Sequence, residues 1–164
     1  MRSMVFALLC LSAMVPALGA DPPAGQAKKH YLVEMSCGPD DSKAVTATLR
    51  TALALREDQS TVTLFIDVAA VHVAKPASDV QPVELQRETD RLFDKLRTAG
   101  VVVLVCPHCA EQHGLQAKSL RPSLRFTNKE ELEAERKRAD KVYEYRPADE
   151  KPAEVQKVAA DRTT

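Results

Sequence analysis

The stretch that most constrains the fold is the unbroken apolar run VVVLVC at residues 101–106. A strand with one wet face alternates apolar and polar side chains. A run without alternation is buried on both faces, as a central strand of a parallel sheet is. Helical patterns flank it. Before it, VELQRETDRLFDKLRTAG places Leu85, Leu92, Phe93 and Leu96 on one face and stops at Gly100. After it, PHCAEQHG gives a short helix ending at Gly114.

The rest of the chain repeats this alternation. HYLVEMS (30–36) is a short apolar strand, and CGPDD is turn chemistry in which Asp40 or Asp41 caps the next helix. Residues 42–58 carry Val45, Leu49, Ala52 and Leu53 at helical spacing, and STVTLFIDVA is a β-branched strand. Residues 69–82 hold Pro76 and Pro82 without a period and read as a long loop with room for one helical turn, a common form of functional lid. SLRFT is a brief strand. Thr127 and Glu130 have capping-box spacing for a helix that reads as a solvated face, and DKVYEY is the last strand. Alternating strands and helices imply an α/β fold: a flavodoxin-like three-layer α/β/α sandwich on a mainly parallel five-stranded sheet. In the flavodoxin strand order the first and third strands are neighbours, and ligands bind at the carboxyl ends of strands at such a switch point.

The domain is expected over residues 30–145. Arg2 followed by MVFALLCLSAMVPAL, with small residues at Ala17, Gly19 and Ala20, reads as a cleaved signal peptide over 1–20. The run is too short for a stable anchor, and Cys10 lacks the context of a lipoprotein cysteine. Residues 21–29 read as a flexible leader and 146–164, polar and unpatterned, as a disordered tail. The protein is then expected in the periplasm or secreted, with no membrane anchor after cleavage. Its 23 basic and 23 acidic residues balance, and losing Arg2 with the leader leaves 22 against 23, about −1. That balance and the absence of Trp argue against a nucleic-acid partner.

Removing residues 1–20 leaves three cysteines, an odd number that fits poorly with a purely structural disulfide framework. Cys37 follows the first strand and Cys106 ends the third. If those strands are neighbours, Cys37 lies within disulfide reach of Cys106 or Cys109, which requires Cα atoms no more than ~7 Å apart. The other reading of Cys37 is a small buried hydrophobe. Cys106 stands where strand gives way to helix, so backbone N–H groups favour its thiolate, the working nucleophile of thiol chemistry. Pro107 suits the first helical position. His72, on the loop after the second strand, and Asp67, at that strand's end, are expected to line the same rim. Asp67 also reads as a cap. His108 is a candidate supporting cation between the cysteines. His30 is expected to face solvent, and His113 to close the short helix.

Three chemistries stay open for this set. Cys106 carries sulfur with Cys109 or Cys37 resolving it, or Cys106 and Cys109 form a thiol–disulfide couple. The third is a Zn²⁺ site built from the three cysteines and one of His72, His108 or His113, but no second Cys/His pair has standard spacing, so no metal or other cofactor is expected. CPHC is also the tetrapeptide of a thioredoxin-fold periplasmic oxidant. That fold needs a different strand arrangement and a cis-proline loop, for which Pro122 is a poor candidate. The contrary reading is a non-catalytic interaction module with a static disulfide.

YLVEMSCGPDDSKAVTATLRTALAL resembles the opening of DsrE/DsrF-like sulfur-relay proteins: a strand, a G-P-D-D turn, then an Ala- and Leu-rich helix. LFDKLRTAGVVVLVCPHCAEQHGL resembles the second block, in which a helix ends in Ala-Gly and an aliphatic strand runs into Cys-x-x-Cys and Gly-Leu. FTNKEELEAERKRADKVYEY fits the closing helix and strand. The resemblance implies a flavodoxin-like sandwich, assembly into oligomers, here a homo-oligomer, and a persulfide passed to or from partner proteins. The family's sulfur-bearing cysteine lies eight residues before the glycine; here that position is Cys106, with Gly114 eight residues on.

Overall fold

The computed structural model describes residues 28–57, 60–76 and 81–147. The expected signal peptide, the leader apart from residues 28 and 29, and the tail from residue 148 onward lie outside the described residues.

Five strands form: β1 (His30–Met35), β2 (Thr61–Ile66), β3 (Val102–Val105), β4 (Leu124–Phe126) and β5 (Lys141–Tyr145). Four α-helices alternate with them: α1 (Ser42–Glu57), α2 (Val83–Thr98), α3 (Pro107–Gln112) and α4 (Lys129–Arg138). All strand pairs are parallel, and the order is β4-β3-β2-β1-β5. The α/β sandwich is therefore as expected, but its strand order is not. β2, not β3, lies beside β1. The apolar pattern of TVTLFI carries the reason. Five of its six side chains are buried, so β2 occupies the sheet interior, whereas the flavodoxin order would leave it at an edge.

The order also decides where the helices go. β1 through β4 step in one direction, so right-handed crossovers stack on one face; the return from β4 to β5 puts α4 on the other. The first face holds the main core. Val45, Leu49 and Ala52 of α1 and Leu85, Leu92, Phe93 and Leu96 of α2 pack on Val33, Met35, Leu64, Ile66, Val103 and Val105. The second face is thinner: Leu32, Phe65 and Leu104 meet Leu132 and Ala139 beneath α4. Chain leaving β3 goes to the first face, where Ala110 of α3 is buried, and chain leaving β4 goes to the second. The topological switch point thus lies between β3 and β4, still beside Cys106.

Local chemistry agrees with the sequence in most places. Asp41 Oδ1 accepts the Ala44 N–H at 3.0 Å and caps α1. Gly100, at φ 73°, ends α2 in the left-handed region that glycine adopts without strain. The cap of α4 is one residue later than the Thr127–Glu130 spacing implies. Asn128 Oδ1 accepts the Glu131 N–H at 2.7 Å, and the Thr127 hydroxyl donates to the Glu131 carboxylate instead.

The expected loop at 69–82 is partly helical. A 3₁₀ helix spans Val68–Ala74 and buries Ala70, Val71, Val73 and Ala74 in the main core, so this half is packing rather than lid. Arg121, buried, holds it in place: its Nε donates to the Val73 carbonyl at 2.8 Å, Nη2 to the Thr89 hydroxyl at 3.2 Å, and Nη1 pairs with Asp90. Its guanidinium lies over the Phe93 ring, 5.0 Å from the centroid.

Two surface expectations fail on the second face. His30 is buried, not solvent-facing, with Nε2 3.0 Å from Glu135 of α4. α4 is not simply a solvated face either. Glu135 accepts the Thr63 hydroxyl at 2.7 Å and Arg136 Nε donates to Glu34 at 2.7 Å, so charged side chains of the helix dock on the sheet.

Candidate functional site

The site is a row at the carboxyl end of the sheet. The Ser36 N–H donates to the Tyr145 carbonyl (2.9 Å), Asp67 to Met35 (3.1 Å), Cys106 to Ile66 (2.9 Å) and Thr127 to Val105 (3.1 Å). Each bond extends a strand ladder by one step, so Ser36, Asp67, Cys106 and Thr127 stand side by side. Side chains alternate faces along a strand. These four therefore share the face of Leu32, Phe65 and Leu104, and Cys106 does pack against that cluster.

Cys106 is the N-cap of α3, with Pro107 at the first helical position. Its partly exposed sulfur accepts the Cys109 N–H at 3.4 Å. The Cys109 thiol is pushed up to about 11, first by burial and next by its hydrogen bond to the Cys106 sulfur. The charges of Cys106 and Asp67 add to the rise, and the Val68 N–H, which donates to the Cys109 sulfur, opposes it. Cys109 thus keeps its proton at physiological pH.

Asp67 precedes the 3₁₀ helix but makes no side-chain capping bond, so the capping reading fails. Its Oδ1 accepts the Ser36 hydroxyl at 2.6 Å. Burial raises its carboxyl above the usual range; the Ser36 bond counters this, the Glu34 charge adds to it, and Arg136 and Arg146 oppose it. Val68, the next residue, has φ 45°. That is a strained conformation for a β-branched side chain, and Val68 is 51% exposed.

Cys37 does not join the row. It is fully buried in the main core, on the opposite face of the sheet from Cys106. With β2 between β1 and β3, their ends are also roughly 9–10 Å apart, two strand spacings, beyond direct bridging. The expected proximity of Cys37 to Cys106 thus rested on the wrong strand order, whereas Cys109 packs against the same core cluster as Cys37. Burial pushes the Cys37 thiol up, opposed in part by its hydrogen bond with Thr48. All three described cysteines are free.

His113 closes α3 as its C-cap, as the sequence implies. His72 stacks edge-on against His113, ring centroids 4.5 Å apart at 66°, joining the 3₁₀ helix to the end of α3. Burial, then the charges of His113 and Lys75, lower its pKa, so it is a neutral imidazole at neutral pH. His108 is exposed, its Nε2 3.2 Å from the Gln112 amide nitrogen on its own helix. The suggested metal set of three cysteines and a histidine is thereby divided between two faces of the sheet.

Ser36, Thr127 and Val68 were not singled out by the sequence. Residues directly after parallel strands line the ligand rim, a rule that finds Ser36 and Thr127. Nothing in the residue type marks a valine for positive φ.

The sequence model of the DsrE/DsrF-like family matches residues 29–142. The chain belongs to the DsrE/DsrF-like family. As a DsrE-like protein it is similar to the crystal structure of the YchN protein from E. coli, at 25% identity and a TM-score of 0.61, covering 73% of this chain and 100% of YchN. It also shares its fold with MTH1491, a protein of unknown function from Methanobacterium thermoautotrophicum, at 14% identity and a TM-score of 0.56, with 73% of this chain and 100% of that one covered. No curated protein matches the chain. No described helix of this DsrE-like domain is long and apolar enough to cross a membrane.

Proposed function

We propose that this DsrE-like protein is an exported sulfur carrier that holds sulfane sulfur as a persulfide on Cys106. The observation that carries the reading is the placement of Cys106: a partly exposed thiol at the end of a central strand and the N-cap of α3, its sulfur accepting the Cys109 N–H at 3.4 Å. Loading is an exchange between sulfurs. The Cys106 thiolate attacks the outer sulfur of a donor persulfide, R–S–SH. A bond forms to that sulfur, the donor's S–S bond breaks, and the donor leaves as a thiolate. The Cys109 backbone N–H and thiol stabilise negative charge on Cys106 before attack. A second protein acting as sulfur donor or acceptor, and assembly as a homo-oligomer, belong to the same reading.

The test is mass spectrometry of the full chain after a sulfane-sulfur donor. A gain of about 32 Da, one sulfur atom, on Cys106, lost in Cys106→Ala and kept in Cys37→Ala, is the expected result. No change at any thiol overturns the reading and leaves the interaction module. A second reading draws on the same contact. Cys106 and Cys109 lie within one turn of α3, joined by the Cys109 N–H to Cys106 sulfur bond, and a Cys106–Cys109 bond that cycles with a thiol buffer in the absence of sulfane sulfur favours a thiol–disulfide oxidoreductase.

A further inference from the structure

We propose that Asp67 is the proton acceptor for Cys109 when Cys109 resolves a sulfur adduct on Cys106. The inference rests on Cys106 being the residue that takes the adduct. To resolve the adduct, Cys109 attacks Cys106 Sγ, and the Cys109 thiol is pushed up to about 11. A base has to be at hand, and the described neighbourhood offers one carboxylate in the right row.

Four observations place Asp67 in that role. It stands next to Cys106 in the row and on the same face of the sheet. The residue before it, Ile66, accepts the Cys106 N–H at 2.9 Å, which fixes the Asp67 backbone against Cys106, and the Asp67 charge acts on the Cys109 thiol. The strained φ of Val68 fixes this arrangement at a conformational cost, which is how backbone strain marks functional positions. Finally, the bond from the Ser36 hydroxyl, at 2.6 Å, is the one described side-chain hydrogen bond that the Asp67 carboxylate accepts. Among the described residues Asp67 caps nothing and forms no ion pair, since Arg136 is bound to Glu34 at 2.7 Å and Arg146 to Glu144 at 3.0 Å. The groups facing it are Ser36 and Glu34 from β1, Arg136 from α4, Arg146 beyond β5 and Cys109 from α3. Its raised pKa makes it a stronger base than an ordinary carboxylate, a better match to a thiol.

The Cys109 thiol gives its proton to the Asp67 carboxylate, directly or through one water. The sulfur's electron pair forms a bond to Cys106 Sγ. The bond from Cys106 Sγ to the outer sulfur breaks, and that sulfur departs with the pair as hydrosulfide. The two cysteines become a disulfide and the outer sulfur is reduced. Asp67 then returns its proton to solvent.

The experiment loads Cys106 of the full chain with inorganic polysulfide, or in a parallel arm with oxidised glutathione as a mixed disulfide. Acid-quenched mass spectrometry then follows Cys106–Cys109 bond formation from pH 5 to 9. Asp67→Asn, with resolution followed per Cys106 actually loaded, is expected to resolve about tenfold or more slowly at pH 7, the usual scale of a lost general base. Its rate should climb in proportion to hydroxide. Ser36→Ala removes the bond that holds the carboxyl down, so the acid limb of the profile moves to higher pH; this variant decides the matter if Asp67→Asn does not fold. Parent-like resolution in Asp67→Asn, or an unmoved limb in Ser36→Ala, overturns the role of Asp67. Failure of polysulfide to load Cys106 overturns the persulfide reading instead, and the glutathione arm still tests Asp67.

Discussion

Cys37 and Cys106, each just beyond the end of a parallel strand, lie on opposite faces of the same sheet. The short spacing of strand ends along the rim cannot bring them together, because β2 stands between them and the pleat turns them apart. Cys37 is therefore expected to be a packing residue. Cys37→Ala should leave sulfur loading on Cys106 intact while costing about 1–2 kcal/mol through the cavity it leaves, measured by urea unfolding. Its raised pKa gives the pH sign. The folded state holds the thiol neutral while the unfolded chain ionises near its ordinary value of about 8.5, so its contribution is whole below that pH and lost as pH rises past it. Cys37→Ala should flatten this alkaline loss.

The sulfur contact predicts an order of alkylation. Iodoacetamide is expected to label Cys109 only as the pH approaches about 11, after Cys106. In Cys106→Ala the hydrogen bond and the charge that hold Cys109 up are both gone. Cys109 should then label at lower pH, with burial alone keeping it above an ordinary thiol. Equal labelling curves in the parent and Cys106→Ala would show that the two sulfurs do not interact.

Val68 stores strain that glycine does not. A non-glycine residue held at positive φ costs about 1–3 kcal/mol, and glycine's extra freedom in the unfolded chain costs roughly 0.5–1 kcal/mol. Val68→Gly is expected to raise stability by about 1 kcal/mol net, seen as a higher urea midpoint at unchanged slope. A lower midpoint refutes the strain.

Glu135 ties α4 to the sheet. Burial alone would raise its carboxyl, but the Thr63 hydroxyl, Arg138 and the His30 charge together hold it below the usual range. The resulting stabilisation is present above the unfolded value of about 4.3 and is lost as pH falls through the lower folded value. Glu135→Gln should cost about 1–2 kcal/mol at pH 7 and abolish that acid-side loss, both read from unfolding curves between pH 3 and 7.

How far the sequence carried can be seen at particular residues. VVVLVC announced a strand buried on both faces, and Val103, Leu104 and Val105 are buried. The helix stop at Gly100 and the strand-to-helix step at Cys106 followed from local rules. Strand order did not, since alternating strands and helices fit several orders equally. The one available clue was TVTLFI, too apolar for an edge. Everything that depended on the order moved with it: the place of Cys37 and the switch point. His30 and α4 were misread for another reason. Charged residues at helical spacing look solvated until their partners are known, and Glu135 and Arg136 find theirs on strands roughly 70 and 100 residues away in the chain.

The two layers over the sheet differ in kind. Under α1 and α2 the cover is a broad apolar core; under α4 it is five apolar side chains and a set of ion pairs. Such a molecule does not open evenly. The α4 layer is the part set to detach at low free energy while the remainder stays folded, and it is the layer under which Cys106 lies. A sulfur-exchange partner would then meet a cysteine whose roof lifts without the domain unfolding, and amide exchange in α4 would be the first to show it.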